Sequence, residues 1–224
     1  MRYIVWLVLL ASCRPDPAPT ALPDSSYFPL QAGSFRVYSV TEHLYRPGQV
    51  LLTRQYQWRH TTGAPFLGLS GNNTYPITYA HRLNSDSEWH TDSVGATQLT
   101  AAEALLTHGG QTTVTLAFPV ANGTRWNGNR YRNDPPDEFV MQQCHTPFRT
   151  GEKDFARTLT VIQQNDSTLV SQDKRIEVYA QGAGLVYAER QQVRYCAAES
   201  GCGSPTAIKS GIRQFIRLTD YGNK

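Results

Sequence analysis

The chain has 224 residues, 21 Lys and Arg against 18 Asp and Glu, and a net charge of +3. Its basic residues are scattered, which argues against nucleic acid as a partner, because phosphate binding needs a concentrated basic face. Charged residues make up only 17% while Tyr, Thr and Val are plentiful, a usage that excludes a disordered chain and points to a β-rich secreted one.

The first predicted element is an address segment. Arg2 supplies a positive start, and Tyr3 to Leu10 is an apolar run of signal-peptide length. A membrane-spanning helix needs about 20 apolar residues, so this run is too short to span. Leu10-Ala11-Ser12-Cys13 then matches the bacterial lipobox. Its small residues let a peptidase reach the bond, and the Cys13 thiol accepts a diacylglycerol. A signal peptide over 1–12 is therefore expected, cut before a lipidated Cys13. Acyl chains anchor a protein to the membrane without spanning it. Arg14, not Asp, follows the cysteine and favours the outer membrane. The absence of an acidic run favours its periplasmic face over the surface. Residues 13–26, with Pro15, Pro17, Pro19 and Pro23, read as a semi-extended tether.

One domain is expected over 27–224. It opens with a strand at Phe35 to Val40, where Arg36 and Ser39 interrupt the apolar residues. Pro47-Gly48 marks the turn of a first hairpin. Further strands are predicted at Ile77 to Leu83, Glu88 to Asp92, Thr112 to Phe118, Phe155 to Gln163, Arg175 to Ala180, Leu185 to Tyr195 and Arg213 to Leu218. Ile77, Tyr79 and Leu83 share the face of a half-buried strand. One short helix is expected where Thr100-Ala101-Ala102-Glu103 reads as a capping box, followed by Ala104-Leu105-Leu106 and closed at Gly109-Gly110. With no long helices between the strands, parallel crossovers are excluded and the sheet should be antiparallel.

With Cys13 assigned to lipid, three cysteines remain. Cys196 and Cys202 enclose "CAAESGC", whose glycines permit a tight return, and are expected to form a disulfide in an oxidising compartment. Cys144 is then left over, expected to be buried and inert. Cys144, His145, Cys196 and Cys202 have zinc-ligand chemistry, but their spacing fits no zinc motif, and no metal or cofactor is expected.

The most distinctive interior segment is "FPVANGTRWNGNRY". Asn122-Gly123 is a hairpin-turn dipeptide, and Asn127-Gly128-Asn129 offers a second place for positive φ. Trp126, Asn127 and Tyr131 are the candidates for ligand contact or for capping the core, with core-capping favoured for Trp126. In "YAQGAGLVYAE", Tyr187 occupies the third-glycine position of a nucleotide fingerprint and no helical pattern follows. Gly182 and Gly184 are better read as a turn or bulge between adjacent strands. Catalytic signals are weak. "GLSG" around Ser70 lacks nucleophile-elbow spacing, Cys144 and His145 should point to opposite faces of a strand, and the Glu88/His90 pair reads as solvated. An enzyme is not expected.

Three segments carry a resemblance: "YFPLQAGSFRVYSV", "VTLAFPVANGTRWNGNRY" and "RIEVYAQGAGLVYAE", in that order. Together they resemble uncharacterised β-rich bacterial outer-membrane lipoproteins, and more distantly the TapB-like group, which shares the opening FPL-x-x-G and the closing G-x-G-L-V. The resemblance covers most of the chain and implies a curved antiparallel sheet or partly closed barrel, with no catalytic residues to carry over. The sequence departs from it at Phe35-Arg36-Val37, where an aromatic, often Trp, precedes the Tyr. The expected role is non-catalytic: holding an apolar ligand or partner segment, or docking to an envelope assembly by an exposed sheet edge. A hydrolase built from dispersed residues ranks below both.

Overall fold

The computed structural model describes residues 23–46, 49–68, 71–196 and 207–223. A single 3-10 turn, Asp24–Tyr27, precedes β1 (Ser34–Arg46) and β2 (Gln49–Thr62), the expected first hairpin. Its turn, Pro47-Gly48, lies outside the described residues. A two-residue β3 (Phe66–Leu67) pairs at the edge of β4 (Asn73–Arg82), and β5 (His90–Leu99), β6 (Glu103–His108) and β7 (Gln111–Ala117) follow as a meander. After the short β8 (Arg125–Asn127) come the long hairpin β9 (Glu138–Thr150) and β10 (Lys153–Ser167). The chain ends with β11 (Ser171–Ala180), β12 (Gly184–Tyr195) and β13 (Ile208–Asn223).

Apart from β3, strands pair with their neighbours in the chain, always antiparallel, and β13 returns to pair with β1. The result is a nearly closed, barrel-like antiparallel sheet of twelve strands. Its remaining seam lies between β7 and β8. Four hydrogen bonds bridge it: the Val114 N–H donates to the Gly128 carbonyl at 3.0 Å, the Trp126 indole to the Val114 carbonyl at 2.8 Å, Arg132 Nε to the Thr112 carbonyl at 3.0 Å, and Arg132 Nη2 to the Thr113 hydroxyl.

The predicted helix is a correction. Thr100 does cap as its sequence suggests, its Oγ1 accepting from the Ala102 and Glu103 N–H groups at 3.2 and 3.0 Å. The same hydroxyl geometry also makes a turn, and here that turn joins β5 to β6. Only six residues separate it from Gly109-Gly110, too few for a stable helix but enough for a strand. Gly109 and Gly110, at φ 57° and 77°, form the two-residue turn into β7. Both central residues need positive φ, as in the favoured hairpin turn.

The tether boundary also moves. Asp24 Oδ2 accepts the Val120 N–H at 2.7 Å, the Ser26 carbonyl accepts the Gly182 N–H at 2.8 Å, and Tyr27 is wholly buried. Residues 24–26 thus belong to the folded unit, and this N-terminal segment plugs one end of the barrel. Around the plug lies a core cluster of Tyr27, Leu116, Trp126, Met141 and Leu159. A second cluster of Tyr38, Val40, Val186, Ile216 and Leu218 lines the wall formed by β1, β12 and β13. Each fully buried side chain of this size contributes about 1.5–3 kcal/mol.

The period of two sorts the two faces. Arg36, Tyr38 and Val40 face inward with their partners His60, Trp58 and Tyr56 on β2. The alternate β2 residues Thr53, Gln55, Gln57 and Arg59 point outward, as does the Lys174–Glu189 ion pair on β11 and β12. On β11 and β12 the same alternation also sets Ile176, Val178 and Tyr187 on the outer face. Among the described residues no helix is long and apolar enough to cross a membrane.

Candidate functional site

Barrel diameter grows with strand number, and about eight strands are all that side chains alone can fill. Twelve strands leave room, and beyond the plug the interior opens into a cavity of about 610 Å³. Phe28, Pro29 and Leu30 of the plug segment border it on one side, and inward residues of β1, β2, β4 to β7 and β9 to β12 supply much of the rest.

One wall is a ladder of rings carried on β1, β2, β4 and β6, the last step passing over Gly95 of β5. Tyr38 lies 4.9 Å from His60 between centroids, His60 lies 4.7 Å from Tyr79, and Tyr79 lies 4.8 Å from His108. Cross-strand register makes the ladder, since Tyr79 sits opposite His60 on the inner face. Trp58, Ile77 and Leu106 add apolar surface beside it. Burial pushes the His60 pKa down to about 3, helped by the positive Arg36 and Arg190, so the ring is neutral. Burial likewise raises Tyr79 to about 12 and Tyr38 further still. Both phenols keep their protons at neutral pH.

The facing wall is charged. Arg175 grips Asp137 with two hydrogen bonds of 2.9 and 3.1 Å. Arg190 stands 3.7 Å from Glu177, which also accepts from the Tyr179 hydroxyl at 2.6 Å. Arg36 is held differently, donating among the described residues to the Ala183 and Pro29 carbonyls at 2.5 and 2.9 Å.

The residues singled out in the sequence fall elsewhere. Trp126 is 4% exposed, packs edge-on against Phe139 at 5.8 Å and spends its N–H on the β7–β8 seam, which makes it a core residue. Asn127 Oδ1 accepts from the Asn129 and Asp137 N–H groups, holding the loop between β8 and β9. Tyr131 lies outside the cavity wall and donates its hydroxyl to the buried Glu103, which also pairs with Arg130 at 2.7 Å. Gly123 has the expected positive φ of 85°, but Gly128 does not. A Cβ on Gly128 would stand 2.4 Å from the Phe139 ring, so close packing requires the glycine there.

Gly182 and Gly184 form the turn between β11 and β12 with φ of 75° and 81°, as expected. Cys144 is buried and free, its thiol pKa raised by burial and by Asp24. The neighbouring His145 is exposed and bonds the Tyr27 hydroxyl at 2.9 Å. Glu88 precedes β5, so it shares no strand face with His90. Cys196 is buried; its expected partner Cys202 lies outside the described residues, as do Cys13 and the whole expected signal peptide. Among the described residues, no three His, Cys, Asp or Glu side chains converge on a metal position.

Sequence reasoning missed the cavity residues Arg36, His60, Glu177 and Arg190. A signal existed at Arg36, which shares an alternation with Tyr38 and Val40. No model of a known protein family matches the chain, and no curated protein matches it either.

Proposed function

We propose that the protein is a lipid-anchored binding module of the bacterial outer membrane, facing the periplasm, which holds a small ligand of partly apolar character inside its barrel. The supporting observation is the cavity. Its volume of about 610 Å³ falls in the range of about 300–1,000 Å³ of small-molecule sites. Its lining combines an aromatic wall with a charged one. The lipobox ending at Cys13 supports the anchoring, and the polar outer face of β2 supports a wall that stands in water.

A second reading, docking to an envelope assembly, draws on Leu169 and Val170, which are 95% and 57% exposed at the tip of the β10–β11 hairpin. Two residues make a small patch, and the sheet edges left at the β7–β8 seam are bridged by the contacts described above. Ligand binding is therefore the preferred reading.

Titration with the uncharged probe N-phenyl-1-naphthylamine tests it. Saturable binding of one probe per chain is expected, with quenching of tryptophan fluorescence because Trp58 borders the cavity. Leu106→Trp, which fills the cavity from β6, should weaken binding about tenfold or more. A folded protein that shows no saturable binding overturns the reading.

A further inference from the structure

We infer that the ligand is an amphipathic organic anion: a ring-bearing apolar body lying on the aromatic ladder, with one negative head group on Arg36. This deepens the binding role proposed above and rests on it.

The inference comes from how the cavity's charges are partnered. Its lining holds four guanidinium groups, from Arg36, Arg132, Arg175 and Arg190, against three carboxylates, from Asp92, Asp137 and Glu177. Asp137 is taken by Arg175 and Glu177 faces Arg190. Asp92 is bound to His81 at 2.5 Å, and Arg132 has Asp134 at 3.7 Å. Among the described residues, Arg36 is thus the one cavity arginine with no carboxylate partner.

Arg36 is half-buried, and the two neutral carbonyls it donates to leave its charge without a counter-ion. Its position is nonetheless fixed. The two carbonyls grip Nε and Nη2, and a Cβ on Gly184 would come within 3.0 Å of Nε, so glycine there leaves the group its place.

The neighbours do not supply the missing charge. The cross-strand partner of Arg36 is His60, whose ring is neutral, and Tyr38 beside it keeps its proton. An anionic head placed at Arg36 gains a charge-assisted hydrogen bond. The same pose lays a ring against the Tyr38–His60–Tyr79 ladder, where stacking is favourable.

The test compares two probes with one skeleton: N-phenyl-1-naphthylamine, which is neutral, and 8-anilinonaphthalene-1-sulfonate, which adds an anionic group. The native chain should bind the sulfonate about tenfold more tightly or better, the scale of one charge-assisted bond. Arg36→Gln should level the two affinities, and Arg36→Lys should keep part of the preference. Equal affinities in the native chain, or a preference that survives in folded Arg36→Gln, overturn the inference. If Arg36→Gln does not fold, displacement of the neutral probe decides. Naphthoate should then displace it about tenfold better than naphthyl methanol, and equal displacement overturns the proposal. Failure of both probes to bind overturns the binding role itself, which separates the two outcomes.

Discussion

His60 shows how a residue's position decides its chemistry. On an exposed strand it would titrate near neutrality, but inside the barrel burial holds its pKa at about 3 against an ordinary 6.5. Between those values the unfolded chain binds more protons than the folded one, so acid favours unfolding. Stability from the neutral ring is complete above about pH 6.5 and is lost as pH falls toward about 3. His60→Phe keeps the ring contacts and removes the titration. Its denaturation midpoint should therefore fall less than that of the native chain between pH 7 and pH 4. An equal fall of the urea midpoint in the two chains between those pH values would refute the assignment. The residue also marks a limit of legibility. Trp126 was readable as a core-capping residue because large aromatics pack by default. Nothing local to "QWRHTT" distinguishes an inward histidine from a solvated one, since that depends on which face the barrel encloses.

Among the elements, strands and turns were legible where local chemistry sets them. Gly182 and Gly184 mark a turn by their φ, and the apolar segments over 155–163 and 185–195 lie within long strands. The segment after Thr100 was misread because one hydroxyl motif serves both helix caps and turns, and only pairing with β5 and β7 separates the two. The β7–β8 seam carries its own prediction. Gly128 accepts the Val114 N–H across the seam and lies against the Phe139 ring. Gly128→Ala should cost about 1–3 kcal/mol by overpacking, read as a lower urea midpoint with an unchanged slope. Full stability in that variant would mean that the seam is looser than its contacts imply.

For the whole molecule, closure and anchoring are separable. The chain enters the described fold at the plugged end, and the cavity is bordered by residues from Phe28 onward. Cys13→Ala should therefore move the protein from the membrane to the soluble fraction while leaving probe affinity within about twofold of the native value. Retention in the membrane fraction would refute the lipid anchor. A large loss of affinity would instead tie the cavity to the membrane. The sequence alone determined the antiparallel β architecture and the position of most strands and turns, and it carries the lipobox pattern on which the proposed anchor rests. Each of these rests on signals within a few residues of one another: alternation, turn dipeptides, and small residues before a cysteine. Only the tertiary structure decided that β13 closes on β1 and that twelve strands enclose a space their side chains do not fill. The unpartnered charge of Arg36 beside the rings of His60 and Tyr79 follows from that closure. These contacts join residues far apart in the chain, and pairing across such distances is set by the energy of the closed sheet as a whole.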